Sequence, residues 1–100
     1  MSIDRFLDYI SHEKKYSPHT CVAYQKNLTD FRDFCEFKFD IKQIDQVDYS
    51  QIRAWIISLV EKKNTNRTVN RKISVLRSYY KFLLRTETIS TFRSLEGIYN

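Results

Sequence analysis

Between Glu61 and Glu87 the chain carries Lys62, Lys63, Arg67, Arg71, Lys72, Arg77, Lys81 and Arg85 without a single acid. A solvated helix ordinarily mixes both signs to gain i,i+4 pairs, so this run points to a polyanionic partner. At about 100° per residue, Arg67, Arg71, Ser74, Ser78, Lys81 and Arg85 fall within about 40° of one direction on a helix. Basic side chains stand at the ends of that face, and two serines fill its middle. Small side chains let a backbone approach, and long basic ones grip phosphates on either side. An ordinary solvated face also suits serine, and the stripe alone does not separate the two readings.

A second stretch, "SPHTCVAYQKNLTDF" at 17–31, has the matching polarity. His19, Thr20 and Lys26 lie early, whereas Asp30, Asp33 and Glu36 lie late. A helix start favours anions through its free N–H groups and dipole, and the later acids would hold the far half away from phosphate. Val22 and Ala23 are small enough to enter a groove, where Val22 could meet a thymine methyl. An exposed valine is equally ordinary on a surface.

Other chemistry is not suggested. There is no Gly-rich phosphate loop, no Cys or His cluster at metal spacing, and no nucleophile–base arrangement. His12 and His19 fall on either side of an expected break. Tyr80, in "SYYKF", lies on the apolar side of its helix and is expected to pack in the core. No catalytic residue, metal or cofactor is therefore assigned, and this chain alone is not expected to be an enzyme.

The elements that position these residues follow from composition and pattern. One Gly and one Pro in 100 residues leave little for hairpins, and 42% hydrophobic residues with seven Phe, seven Tyr and one Trp suffice for one modest all-helical core. The net charge of +5 divides unevenly, with ten Lys/Arg against three Asp/Glu in residues 51–100 and seven against nine in residues 1–50. No apolar run reaches the length of a membrane span, and the first residues do not form a secretory signal. Cys21 and Cys35, about 21 Å apart along one helix, cannot bridge each other and read as reduced thiols of a cytoplasmic protein.

The first helix is expected over roughly 3–14, with Ile3, Phe6, Leu7 and Ile10 inward. The second runs from Pro18, capped by Ser17, to about Phe37, burying Cys21, Tyr24, Leu28 and Phe31. Asp48 caps the third, with Gln51 at the capping-box position and Ile52, Trp55, Ile56, Leu59 and Val60 as its stripe. Thr65 or Asn66 caps the fourth, which runs to about Arg85 with Val69, Ile73, Leu76, Tyr80 and Leu83 inward. Phe31, Trp55, Leu76 and Tyr80 should share one core. Ile89, Phe92 and Leu95 step by three, as a short fifth element would.

This ordered set of segments resembles the N-terminal core-binding domain of tyrosine recombinases, in the Xer-like and phage-type integrase branch. Phe6-Leu7, Ser17, Thr20, Ala23-Tyr24, Leu28 and Phe31 match one stretch of the family pattern. Arg71, Ser74, Leu76, Arg77, Ser78, Tyr79 and Tyr80 match another. The resemblance covers about residues 3–86 and implies a compact four-helix SAM-like bundle on one side of duplex DNA, its second and fourth helices toward the major groove. By position it nominates Thr20, Lys26, Arg67, Thr68, Arg71, Lys72 and Ser74 as DNA contacts. Face and charge add His19, Ser78, Lys81 and Arg85. The family often has glycine in the turns before its second and fourth helices, where this chain has "KKYS" and "EKKNT", and the usual Asn-Pro after the fourth helix is missing.

The resemblance also implies a partner catalytic domain that cleaves DNA through a 3′-phosphotyrosyl link. Its basic and His residues and its Tyr nucleophile have no counterpart here. Residues 1–86 are therefore expected to form the DNA-binding unit, and 87–100 a tail toward that catalytic domain. Implied partners are double-stranded DNA and, in the longer protein, other recombinase protomers, with the isolated unit a monomer. Two other readings stay open at this point: a helix-turn-helix regulator binding a palindrome as a dimer, and a basic bundle that meets an acidic protein.

Overall fold

Three of the four helices start where a side chain can accept from their free first-turn N–H groups. In the computed structural model, which describes residues 2–86, α1 spans Ser2–His12, α2 Pro18–Phe39, α3 Tyr49–Glu61 and α4 Asn66–Arg85. Ser17 Oγ accepts from the Thr20 N–H at 3.3 Å, and Thr65 Oγ1 from the Thr68 N–H at 3.2 Å. At α3 the reciprocal box is complete: Asp48 Oδ1 accepts from the Ser50 N–H at 2.8 Å, and Gln51 Oε1 from the Asp48 N–H at 2.8 Å. Such caps contribute about 1 kcal/mol each.

The turns solve their geometry without glycine. Lys15, Asp40 and Lys63 adopt left-handed backbone at φ 55°, 56° and 65°. Lys15 and Lys63 stand in the connections before α2 and α4, the two turns where the resemblance led us to look for glycine. A left-handed non-glycine residue costs about 1–2 kcal/mol, and local bonds offset it. After α3 the Asn64 N–H and Nδ2 both donate to Leu59 O, at 3.1 and 2.9 Å.

α2 and α4 each pack against the other three helices. Phe31, Trp55, Leu76 and Tyr80 lie in one buried cluster, as expected, with the Phe31 and Trp55 rings 5.0 Å apart. The buried arc of α4 is wider than the sequence stripe, because Val75, Tyr79 and Phe82 are buried as well. Phe6 of α1 fills this second flank, meeting Tyr79 edge-on at 5.4 Å and Phe82 at 5.5 Å.

The segment between α2 and α3 is more than a connection. It contains a 3-10 turn at Ile44–Gln46, and Ile44 and Val47 are buried. Tyr80 Oη donates to Ile44 O at 2.6 Å, and Tyr79 Oη donates to Asp45, so two phenols from α4 fix this turn.

Three expectations need correction. Val60 is 55% exposed, because it lies at about 80° from Ile52 around α3, beyond the arc that faces the core. Leu7, Cys21, Tyr24, Ile56 and Ile73 are half-buried at the edges of their stripes. Helix α1 stops at His12, two residues early, and α2 continues to Phe39, two residues further than expected. Ile89, Phe92, Leu95 and the rest of 87–100 lie outside the described residues. Among those described, no helix is long and apolar enough to cross a membrane.

Candidate nucleic-acid interface

The outward arc of α4 carries the basic residues that the spacing placed there. Arg67, Arg71, Ser74, Lys81 and Arg85 are exposed, while Ser78 is half-buried. Ser74 Oγ donates to Asn70 O at 3.0 Å, which keeps its side chain close to its own helix and leaves that turn narrow. Arg85 is held in place: Nη1 donates to Tyr9 Oη at 2.9 Å, and the guanidinium lies 5.7 Å from the Tyr9 ring centre. Its charge is therefore directed by α1 and not left to swing freely.

α2 and α4 begin alike. Ser17 and Thr20 share a 3.0 Å hydroxyl–hydroxyl bond at the start of α2, and Thr65 donates to Thr68 at 3.0 Å at the start of α4. Thr20 and Thr68 are consequently half-buried in their caps, with exposed His19 and Arg67 just before them. Lys26 is exposed, and Val22 is 63% exposed, so the small-residue side of α2 does face outward.

The two helices cross in opposite senses. Tyr24 of α2 faces Ser78 of α4, and three residues later Asn27 meets Lys72. The start of α2 is thus brought to the middle and later turns of α4. Arg67 lies about 16 Å from Ser78 along the α4 axis, toward the other end of the same arc. Burial, then the neighbouring Tyr16, raises the Tyr24 phenol above its ordinary pKa, and Ser78 partly offsets this.

Lys72 stands apart from the other nominated residues. It is half-buried, and its Nζ donates to Asn27 Oδ1 at 2.9 Å. Asn27 is itself only 7% exposed, so this bond satisfies a buried amide at the α2–α4 crossing. Lys72 also lines a groove with Asp30 and Asp33 on the α2–α3 side. Those acids thus border a different surface from the basic arc, and Glu36 is exposed beyond them.

Sequence reasoning missed a cavity of about 230 Å³ between α1 and α4. Its polar wall comprises Tyr9, Lys14, Tyr16, Ser78, Lys81 and Arg85. The Lys14-Lys15 pair was a legible charge signal, but its closeness to the end of α4 depends on how α1 packs.

Among the described residues, no group of three or more His, Cys, Asp and Glu is arranged to hold a metal ion. Cys21 and Cys35 are free, and burial pushes the Cys35 thiol up to about 12. The outward arc of α4 offers cations and hydroxyls, a chemistry suited to holding phosphates.

Comparison with known proteins gives a consistent picture. The family model described as the phage integrase N-terminal SAM-like domain matches residues 3–87. Tyrosine recombinase XerC of Listeria innocua is 44% identical over 86 residues, covering 86% of this chain and 28% of that protein. XerC of Anoxybacillus flavithermus is 39% identical over 89 residues, covering 89% of this chain and 29% of that protein. XerC of Halalkalibacterium halodurans is 40% identical over 87 residues, covering 87% and 28%. The chain spans less than a third of the length of these relatives. No solved structure matches. With an all-helical bundle and a family match across nearly the whole chain, the protein belongs to the phage integrase N-terminal SAM-like domain family, on the side of the Xer-type tyrosine recombinases.

Proposed function

We propose that this chain grips duplex DNA as the non-catalytic arm of a Xer-type tyrosine recombinase. The observation that carries the reading is the acid-free outward arc of α4, with α2 packed beside it at Tyr24–Ser78 and exposing His19 and Lys26. His19, Thr20 and Lys26 on α2 act with Arg67, Thr68, Arg71, Ser74, Ser78, Lys81 and Arg85 on α4. Lys72 supports the pair by bracing the crossing through Asn27. Strand cleavage and rejoining belong to the part of the relatives that this chain does not span. The gripping unit occupies 1–86, and 87–100 leads toward that catalytic part, where other protomers assemble on the same DNA.

The division of labour within the arc follows from size. From Arg67 to Arg85 the arc runs about 27 Å, whereas the major groove is about 12 Å wide. One part of α4 lies in the groove while the rest meets the flanking backbone. Most of the binding is therefore sequence-independent and salt-sensitive. The test is a fluorescence titration with short duplexes at two salt concentrations. A steep salt dependence and one-to-one binding by a monomer are expected. Lys26→Glu and Arg71→Glu should each weaken binding sharply, since each removes an attraction and adds a repulsion. Dimeric binding confined to palindromes would favour a helix-turn-helix regulator, and no affinity for random duplex at low salt would favour a protein-binding bundle.

A further inference from the structure

We infer that the α1–α4 cavity is a phosphodiester site, so that α1 and its connection touch the DNA backbone alongside α2 and α4. The inference rests on the DNA-gripping reading and extends it to residues outside the two helices nominated so far. The cavity is lined by three cations, Lys14, Lys81 and Arg85, and by no acid among the described residues. Tyr9, Tyr16 and Ser78 contribute hydroxyls around the same space. Its remaining walls, Phe6, Ile10 and Phe82, are buried core side chains, so the floor is rigid. A rigid apolar floor with cations and hydroxyls at the rim excludes some water from the charges. That strengthens their attraction for an anion compared with lysines on an open surface.

Position identifies which anion. Ser78, Lys81 and Arg85 are both the α4 wall of the cavity and the last turns of the basic arc. The arc is longer than a groove is wide, so its end must lie over a sugar–phosphate strand when the helix occupies the groove. Tyr9, by bonding Arg85, fixes the guanidinium at the cavity rather than along the groove. Contacts of this kind set register on the duplex and carry no base preference. Lys14 is the informative residue, because it is exposed, lies on neither α2 nor α4, and supports no core packing.

The test compares the whole chain with its Lys14→Ala and Arg71→Ala variants on one short duplex across a salt series, with amide shifts followed in parallel. A backbone contact contributes a log–log salt slope of about 0.9, which is about eightfold in affinity at about 0.1 M salt if nothing remains at about 1 M. Lys14→Ala should lose about that factor and that slope, equally for unrelated duplex sequences. The wild type should show shifts over residues 9–16 on adding duplex. Tyr9→Phe, which removes the hydrogen bond to Arg85 while keeping the ring beside its guanidinium, should lower affinity in the same sequence-independent way. If Lys14→Ala binds with unchanged affinity and slope while Arg71→Ala weakens binding, the phosphodiester site is refuted and the gripping reading stands. If neither variant nor the wild type binds duplex at low salt, the gripping reading has failed and the site fails with it. Shifts over residues 9–16 with inorganic phosphate but not with duplex would also overturn the assignment, giving the cavity to a free phosphate ligand.

Discussion

Replacing Tyr80 with phenylalanine should destabilise the fold at neutral pH and progressively cease to do so in alkali. The phenol is fully buried and donates to Ile44 O at 2.6 Å. Phenylalanine fills nearly the same volume, so the loss is one of the two hydrogen bonds at Ile44 O, which keeps the 3.4 Å bond from the Val47 N–H. Losing one such bond costs about 0.5–1.5 kcal/mol, or roughly 4–8 °C in Tm per kcal/mol for a domain of this size. Burial first, then Tyr79, Cys35 and Asp45, raise the Tyr80 pKa well above 10.0. The fold therefore favours the neutral phenol. Its contribution is complete below the ordinary tyrosine value and is lost as pH rises above it, since the unfolded chain ionises first. Each further pH unit removes about 1.4 kcal/mol from the wild type through this group and nothing from the variant. Urea unfolding followed by circular dichroism at about pH 7 and about pH 11 reads both limbs. A deficit of the same size at both values would refute the buried neutral donor, and with it the role of α4 in holding the 3-10 turn.

Other expectations follow from single contacts. Leu76→Ala should cost about 2–5 kcal/mol by opening a cavity in the core, and a loss below about 1 kcal/mol in the same unfolding assay would mean its side chain is not enclosed. Thiol labelling near pH 8 should modify Cys21 well before Cys35, whose buried thiol stays protonated up to about 12. Ionisation of Cys35 accordingly weakens the fold only as pH rises above the ordinary thiol value of 9.0. Lys72→Ala should lower stability by leaving Asn27 Oδ1 without its partner while barely altering the salt slope of DNA binding, whereas Arg71→Ala should do the reverse.

What was legible in the sequence was local. Ser17-Pro18, Asp48 with Gln51, and Thr65 announce helix starts because the cap and its N–H partner lie within three residues of each other. The basic arc was legible because α4 is a regular helix and its outward face needs no neighbour to define it. The apolar edges were less legible. Val60 belongs to the pattern but faces solvent, while Val75, Tyr79 and Phe82 fall off the pattern and are buried, Tyr79 and Phe82 against Phe6 of α1. That turn itself depends on Tyr80 and Tyr79, more than 30 residues away in sequence. Lys72 looked like its basic neighbours, and only the crossing with Asn27 distinguishes it. The cavity was invisible for the same reason, since Tyr9 and Arg85 are 76 residues apart.

The most direct test of the account is an amide-shift titration of the chain with a short duplex at low salt. The perturbed residues should gather on 19–26 of α2 and along the outward arc of α4 between Arg67 and Arg85, and should spare α3 and the Asp33–Glu36 side of α2. Shifts concentrated on α3 and the α2–α3 groove, with 19–26 and 67–85 unmoved, would contradict it.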